Sequence, residues 1–245
     1  CGRLKAYLPI WIHALKKAEE DSTLFSSQPE NIEDYFQLTN SLYINKKYRE
    51  DIFKQIIDSP LNPKHKYVYS DLGFILLGEL VEVLSGQSLD VYLEENFYKP
   101  MNLSHTHFRP KEKEEIENIV PTIEAIDFRN SQIKGNVHDE TSALLGGVAG
   151  HAGLFSTAED LFAICQMILN KGQYNGKRYI NSKTIDLFSK THFAEHNNRR
   201  GLGWDKPLLK DKSSHTSKYA SKKSIGHSGF TGTYLWIDPE NQTIL

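Results

Sequence analysis

The sequence predicts an α+β fold, with an antiparallel sheet flanked by helices rather than a wound parallel sheet. Three observations predict it. Helical apolar periodicity runs through most of the chain, alternating aromatic and β-branched residues come at its end, and no strand–helix–strand repeat joins them. The 245 residues are 39% apolar, 11% aromatic and 24% charged, with a net charge of -2. A disordered chain would be poorer in aromatics and further from neutrality. The near balance of 29 Lys+Arg against 31 Asp+Glu argues against a nucleic-acid partner, which calls for a basic excess. No run approaches the roughly 18 apolar residues of a membrane helix. The best stretch, Phe74 to Leu84, is broken by Glu79 and Glu82. Two cysteines, Cys1 and Cys165, make neither a disulfide framework nor a zinc site, and no metal or cofactor is expected.

The elements follow in chain order. Residues 5 to 58 mix apolar and charged positions at helical spacing with few glycines, which predicts several short helices. Pro60 and Pro63 mark a loop. Leu72, Ile75, Leu76, Leu80, Val83 and Leu84 fall on one helical face, and Gly86 supplies the stop. Ser88 opens a second helix to about Tyr98, which Pro100 ends. Residues 109 to 142 read as a polar excursion over the surface. Gly146-Gly-Val-Ala-Gly-His-Ala-Gly153 is a glycine-rich turn; without Gly-Lys-Ser/Thr it is no phosphate loop. Ser156-Thr-Ala-Glu159 is a capping box for a helix to about Asn170, stopped by Gly172. A further helix covers Ser182 to Lys190. Gly232 to Asp238 reads as a strand, Pro239-Glu-Asn-Gln242 as a turn and Thr243 to Leu245 as the start of a return strand. The chain is expected to be a single partial domain over residues 1–245, helical over about 5–190 and sheet-forming over about 200–245.

Several chemical signals are weak. His192 and His196 share helical spacing, but no Glu follows His192, so a metal pair is not expected. His105 and His107 alternate as on a strand and, with no carboxylate partner in view, read as surface residues. No Gly-x-Ser-x-Gly elbow occurs. One Ser-x-x-Lys exists, Ser131-Gln-Ile-Lys134, but it lies among polar residues rather than opening an apolar helix that would bury the lysine. Tyr69-Ser70-Asp71 directly precedes the apolar helix, where Ser70 or Asp71 is placed to cap it. His227-Ser228-Gly229 stands at the start of a predicted strand, its glycine allowing a substrate near the backbone. Each alone has a plain reading as a cap or a strand edge.

In order along the chain they are more specific. Tyr69-Ser70-Asp71, Leu72-Gly-Phe-Ile-Leu-Leu-Gly78, Ser85-Gly86, Pro100-Met-Asn-Leu103, Gly150-His-Ala-Gly-Leu-Phe-Ser156 and Gly226-His-Ser-Gly-Phe-Thr-Gly232 together resemble the serine β-lactamase-related family. That family includes class C β-lactamases, D-alanyl-D-alanine carboxypeptidases and esterases. Leu4-Lys-Ala-Tyr-Leu-Pro9, Ser59-Pro-Leu61 and Val137-His-Asp-Glu140 look closest to the module that some bacteria carry fused to a family 3 glycoside hydrolase, a β-N-acetylglucosaminidase. The resemblance implies a β-lactamase/transpeptidase-like fold with a helical subdomain, here incomplete at both ends, with the nucleophile segment before Cys1 and closing strands after Leu245. It implies an acyl-enzyme hydrolase of an ester, an amide, a cell-wall peptide or a β-lactam, whose Ser-x-x-Lys lies outside this chain. Tyr69 then serves as general base or proton relay, and His227 holds a substrate carboxylate or shuttles protons. Asp71, Ser228, Gly229 and Phe230 line the substrate, with the Phe230 amide as an oxyanion donor. Asp71 in place of Asn, and His227 in place of a permanently cationic Lys, disfavour an anionic substrate. The partners implied are a small-molecule or peptidoglycan-derived substrate and a fused glycosidase, in a periplasmic or secreted setting. Cys1 is a trimmed end or, on the other reading, a lipid-anchored mature terminus. A non-catalytic module that binds cell-wall peptide or glycan is the alternative function.

Overall fold

The structure is a computed structural model describing residues 3–63, 67–124, 128–209 and 216–245. Cys1 lies outside the described residues. Helix α1 (Ile10–Glu20) is followed by three short strands, β1 (Phe25–Ser26), β2 (Tyr35–Thr39) and β3 (Leu42–Asn45). They pair antiparallel in the order β1-β3-β2. This sheet corrects the all-helical expectation for residues 5 to 58. Its strands each hold at most one fully buried side chain, Leu38 on β2 and Ile44 on β3, so alternation is barely visible. Helix α2 (Tyr48–Ile57) buries Tyr48, Ile52 and Ile56, four residues apart on one face.

Helix α3 (Leu72–Ser85) ends at Gly86, whose φ of 70° is the left-handed stop expected of that glycine. Helix α4 (Leu89–Leu93) does not end before Pro100. It widens into a π-helical turn over Glu94–Tyr98 and runs on as α5 (Lys99–Met101), where Pro100 occupies a first-turn position needing no N–H partner. Strand β4 (His107–Phe108) then pairs with β7 (Leu154–Phe155). The excursion between them is less irregular than its composition implied. Strands β5 (Pro121–Glu124) and β6 (Gln132–Lys134) form a hairpin, and α6 (Glu140–Leu144) is buried along its length. His105 and His107 are not bare surface residues either. Glu114 lies 2.8 Å from His105 Nδ1 and 3.3 Å from His107 Nε2.

Helix α7 (Ala158–Leu169) begins one residue later than the capping box implied. Thr157, not Ser156, is the cap, its hydroxyl accepting from the Asp160 amide at 3.3 Å. A hairpin, β8 (Gln173–Tyr174) and β9 (Lys177–Arg178), turns on Asn175 and Gly176, both at positive φ. Helix α8 (Ser182–Ser189) follows. The last sheet is β10 (Ile225–Ser228), β11 (Tyr234–Asp238) and β12 (Thr243–Ile244), an antiparallel meander in that order.

The chain divides into two compact units. The first comprises residues 1–96 and 105–156. Its core joins Ile10 and Ala14 of α1, Leu38, Ile44, Tyr48, Ile52 and Ile56 to Leu72 and Ile75 of α3. Burying each large aliphatic side chain is worth about 1.5–3 kcal/mol. Helix α3 packs directly on the glycine-rich turn. A Cβ on Gly150 would lie 2.1 Å from the Phe74 carbonyl oxygen, so only glycine admits that approach. The turn is a helix-packing surface. The second unit, residues 97–104 and 157–245, packs α7 against β11 and β12, and Ala163, Cys165, Ile225 and Ile237 are buried within it. No single described helix is long and apolar enough to cross a membrane.

Candidate active site

In the first unit, Tyr69 lies just before α3 and Asp71 is its N-cap, already in helical backbone conformation. The Asp71 carbonyl accepts the first helical amides, from Phe74 at 2.9 Å and Ile75 at 3.0 Å. Neither neighbouring side chain caps the helix, contrary to the sequence expectation. Ser70 instead donates to the Lys5 carbonyl at 2.6 Å, tying the segment to the start of the chain. Tyr69 is half exposed.

The second unit holds His227, Ser228, Gly229 and Phe230 together, at the end of β10 rather than at a strand start. His227 pairs across the sheet with Leu235 and Ser228 with Tyr234. The chain then turns back through Gly229, whose amide donates to the Thr233 carbonyl at 2.8 Å. A Cβ on Gly229 would fall 2.1 Å from Thr233 Oγ1, which accounts for the glycine. Ser228 and Gly229 are exposed, and Phe230 stands 86% exposed at the tip.

Behind His227 lies a charged network that the sequence reading did not single out. Asp205 is buried and accepts two hydrogen bonds from Arg199, at 2.7 and 2.8 Å. Arg200 stands 3.3 Å from the same carboxylate and directs Nη1 to His227 Nε2 at 3.0 Å. Backbone bonds between Asp205 and Gly226, 2.8 and 3.0 Å, fasten this segment to β10 beside His227. Burial works against the Asp205 charge. The hydrogen bond from Arg199, the Lys206 amide and the charges of both arginines outweigh it, holding the carboxyl below its ordinary range. His227 is thus not without a cation, as substitution of the family's lysine had implied. Arg200 supplies one.

A second pair joins residues that had served only as family marks. His151, with its side chain 4% exposed, places Nε2 2.8 Å from Asp139, which also accepts from the Ser142 amide at 2.6 Å and so caps α6. Burial opposes the Asp139 charge, but the hydrogen bond and charge of His151, the Ser142 amide and His138 prevail, so its carboxyl is also lowered.

Ser131 and Lys134 do not form a nucleophile pair. Lys134 ends strand β6, paired to Pro121, so the two are not one helical turn apart. A cavity in the second unit, about 470 Å³, is lined by Ile185, Ile225, Ile237, Lys206 and Lys223 and not by His227, Ser228, Gly229 or Phe230. His192 Nε2 bonds the Leu187 carbonyl at 2.7 Å, and His196 ends a short 3-10 turn.

The family model for β-lactamase matches residues 25–245, and the chain belongs to that family. It is 39% identical over 186 residues to the N-acetylmuramyl-L-alanine amidase of Bacillus subtilis (strain 168), covering 71% of this chain and 42% of that protein. It is 35% identical over 222 residues to a putative D-alanyl-D-alanine carboxypeptidase of Escherichia coli (strain K12), covering 84% and 51%. The chain therefore spans about half the length of the curated relatives it matches. The simvastatin synthase LovD from Aspergillus terreus shares the fold, with a TM-score of 0.60 at 15% identity, covering 99% of this chain and 59% of that one.

Proposed function

We propose that this chain forms the body of one serine hydrolase domain that cleaves an ester or amide of cell-wall peptide through an acyl-enzyme. The observation that carries the reading is the family match across 25–245, which spans both Tyr69-Ser70-Asp71 and His227-Ser228-Gly229. The relatives named D-alanyl-D-alanine carboxypeptidase and N-acetylmuramyl-L-alanine amidase support a peptide of the cell wall as substrate. The nucleophile, on a Ser-x-x-Lys helix, belongs to sequence beyond these residues. Its hydroxyl attacks the carbonyl carbon while Tyr69 takes the proton and returns it to the leaving group; water then releases the acyl group. The Phe230 amide, with the nucleophile's own, polarises the carbonyl oxygen. Asp71, Ser228 and Gly229 contact the substrate, and His227 borders its anionic end. No cofactor enters the scheme. Such a substrate places the protein outside the cytoplasm, in the periplasm or secreted, and the motifs near residues 4–9, 59–61 and 137–140 favour a parent carrying a β-N-acetylglucosaminidase domain.

Labelling with fluorescent penicillin and with a fluorophosphonate tests the placing of the nucleophile. Residues 1–245 alone are expected to take no label, and a longer chain that adds Ser-x-x-Lys to take it. A label mapped by mass spectrometry within 1–245, with Ser131 the first position to inspect, would overturn it. The strand geometry of Ser131 and Lys134 also favours a second reading, a non-catalytic module that holds cell-wall peptide or glycan. A parent gene with no Ser-x-x-Lys on an apolar helix, whose product binds muropeptide without turnover, would decide for that reading.

A further inference from the structure

We propose that the cavity framed by α7, α8 and the last sheet binds a single-chain amphiphile, an aliphatic tail that ends in a phosphate head. Its floor follows from strand register. Ile225 of β10 and Ile237 of β11 are directly paired, so their side chains leave the same face of the sheet. Ile168, near the end of α7, and Ile185 of α8 extend that floor. All four are buried. The space they border, about 470 Å³, falls within the range of roughly 300–1,000 Å³ typical of small-ligand sites. No step of the proposed hydrolysis uses these residues.

The rim is cationic on a chain that is not. Lys171, Lys190, Lys206, Lys222 and Lys223 border the cavity, and the carboxylates beside them are Asp186 and Glu240. Lys171 is engaged by Asp186 at 2.5 Å and Lys223 by Glu240 at 2.9 Å. Lys190, Lys206 and Lys222 meet no carboxylate among the described residues, so positive charge is in excess here while the whole chain carries -2. A cleft with one sign of charge over low-dielectric walls concentrates counter-ions. Lys206 is the most telling of the three. It is 6% exposed, and its ammonium donates to the Ser224 carbonyl at 3.2 Å and the Lys223 carbonyl at 3.4 Å. Both bonds sit at or beyond the long end of the usual range, and an ammonium has a third N–H to give. Long basic side chains ordinarily bury the stem and keep the head in water. Lys206 keeps its head inside as well, where burial pushes the amine below its ordinary value. The Ser224 carbonyl adjoins Ile225, so this charge stands at the edge of the aliphatic floor. An anionic head answers the lysines while a tail covers the isoleucines. Lysines meet a phosphate as point charges and need no bidentate geometry.

Calorimetric titration of the 245-residue chain with alkyl phosphates, kept below the concentrations at which they form micelles, tests both halves of the ligand. Decyl phosphate is expected to bind, and decyl maltoside, with the same tail and a neutral head, about tenfold more weakly, the size of one charge-assisted hydrogen bond. From hexyl to decyl phosphate, each added methylene should tighten binding by about two- to fourfold. Lys190→Gln combined with Lys222→Gln, both at exposed positions, should weaken decyl phosphate by about fivefold and lessen its salt dependence at an unchanged melting temperature. Lys206→Met keeps the bulk of the stem and should weaken decyl phosphate by about tenfold while leaving decyl maltoside alone. If Lys206→Met does not fold, the rim variant decides. Equal affinity for the neutral and the phosphate amphiphile, or no gain with tail length, would overturn the inference. So would binding confined to phosphatidylglycerol vesicles, because the lysines would then read a membrane surface and not one molecule. Binding that disappears in a longer parent chain, or that weakens as protein concentration rises, would assign the cavity to another segment or to a second copy and would overturn it equally.

Discussion

At the scale of single residues, the carboxylates of Asp139 and Asp205 are the places where one substitution changes most. Asp139 serves His151 and the first turn of α6 at once. Asp139→Asn keeps the shape and the Oδ1 that both partners address, but removes its charge and puts a donor in place of the second oxygen. A hydrogen bond to a charged group is worth about 1.5–3 kcal/mol against about 1 kcal/mol for a neutral one, so a loss of about 1–2 kcal/mol is expected in chemical denaturation. An exposed control such as Asp58→Asn, whose pairing with Lys54 lies at the surface, should cost less than about 0.5 kcal/mol. Equal losses would show that the His151 pair contributes nothing special. These residues also mark the limit of sequence reading. Tyr69, His227 and Gly229 stood out because each belongs to a contiguous triplet. Arg200 and His227 are 27 residues apart, and Arg199, Arg200 and Asp205 fit no spacing rule. Only the backbone pairing of Asp205 with Gly226 brings them together, and no local pattern encodes it.

Elements were legible in proportion to how long and how one-sided they are. Helix α3 declared itself through its apolar spacing and Gly86. The β1-β3-β2 sheet did not, because strands of two to five residues offer too few turns of alternation to outweigh the surrounding helical spacing. The β8–β9 hairpin could have been found: Asn175-Gly176 between Tyr174 and Lys177 is the strongest short hairpin signal. The Pro100 stop failed for a reason that is local to the backbone, since the π-helical turn before it lets the chain re-enter a helix with proline in the first turn. The contact between α3 and the glycine-rich turn gives an element-scale prediction. Gly150→Ala sets a methyl against backbone rather than a movable side chain, so α3 must shift. A loss of about 1–3 kcal/mol is expected. Gly73→Ala, on the same helix with open space around it, should instead be neutral or stabilising by up to about 1 kcal/mol. Thermal melts of the two variants side by side would check the contrast, and a destabilised Gly73→Ala would refute it.

Across the whole molecule, acid is the condition that should reach both units. Asp139 lies in the first, Asp205 and Asp238 in the second, and all three carboxyls are held below their ordinary value of 3.8. For Asp238, burial opposes the charge, and hydrogen bonds from the Ser221 hydroxyl and amide and from Asn241 overcome it. In each case the folded carboxyl binds its proton less readily than the unfolded one. At a pH between the lowered folded value and 3.8, the unfolded chain therefore carries more protons, and stability falls as pH falls. The contribution is complete above the ordinary value and is lost on descending through the folded one. Melting temperature should thus be level from about pH 7 to pH 5 where these three groups alone are concerned, then drop below pH 4, each carboxylate adding a slope of up to about 1.4 kcal/mol per pH unit. Asp205→Asn should lower stability at neutral pH, since it strands two arginines around a neutral amide, and should flatten the acid limb by the share of one group. Differential scanning calorimetry from pH 7 to pH 3 on both proteins makes the comparison. Parallel acid limbs would mean that Asp205 ionises alike in the folded and unfolded chain, and the arginine pair would then carry less of the negative charge than its geometry implies.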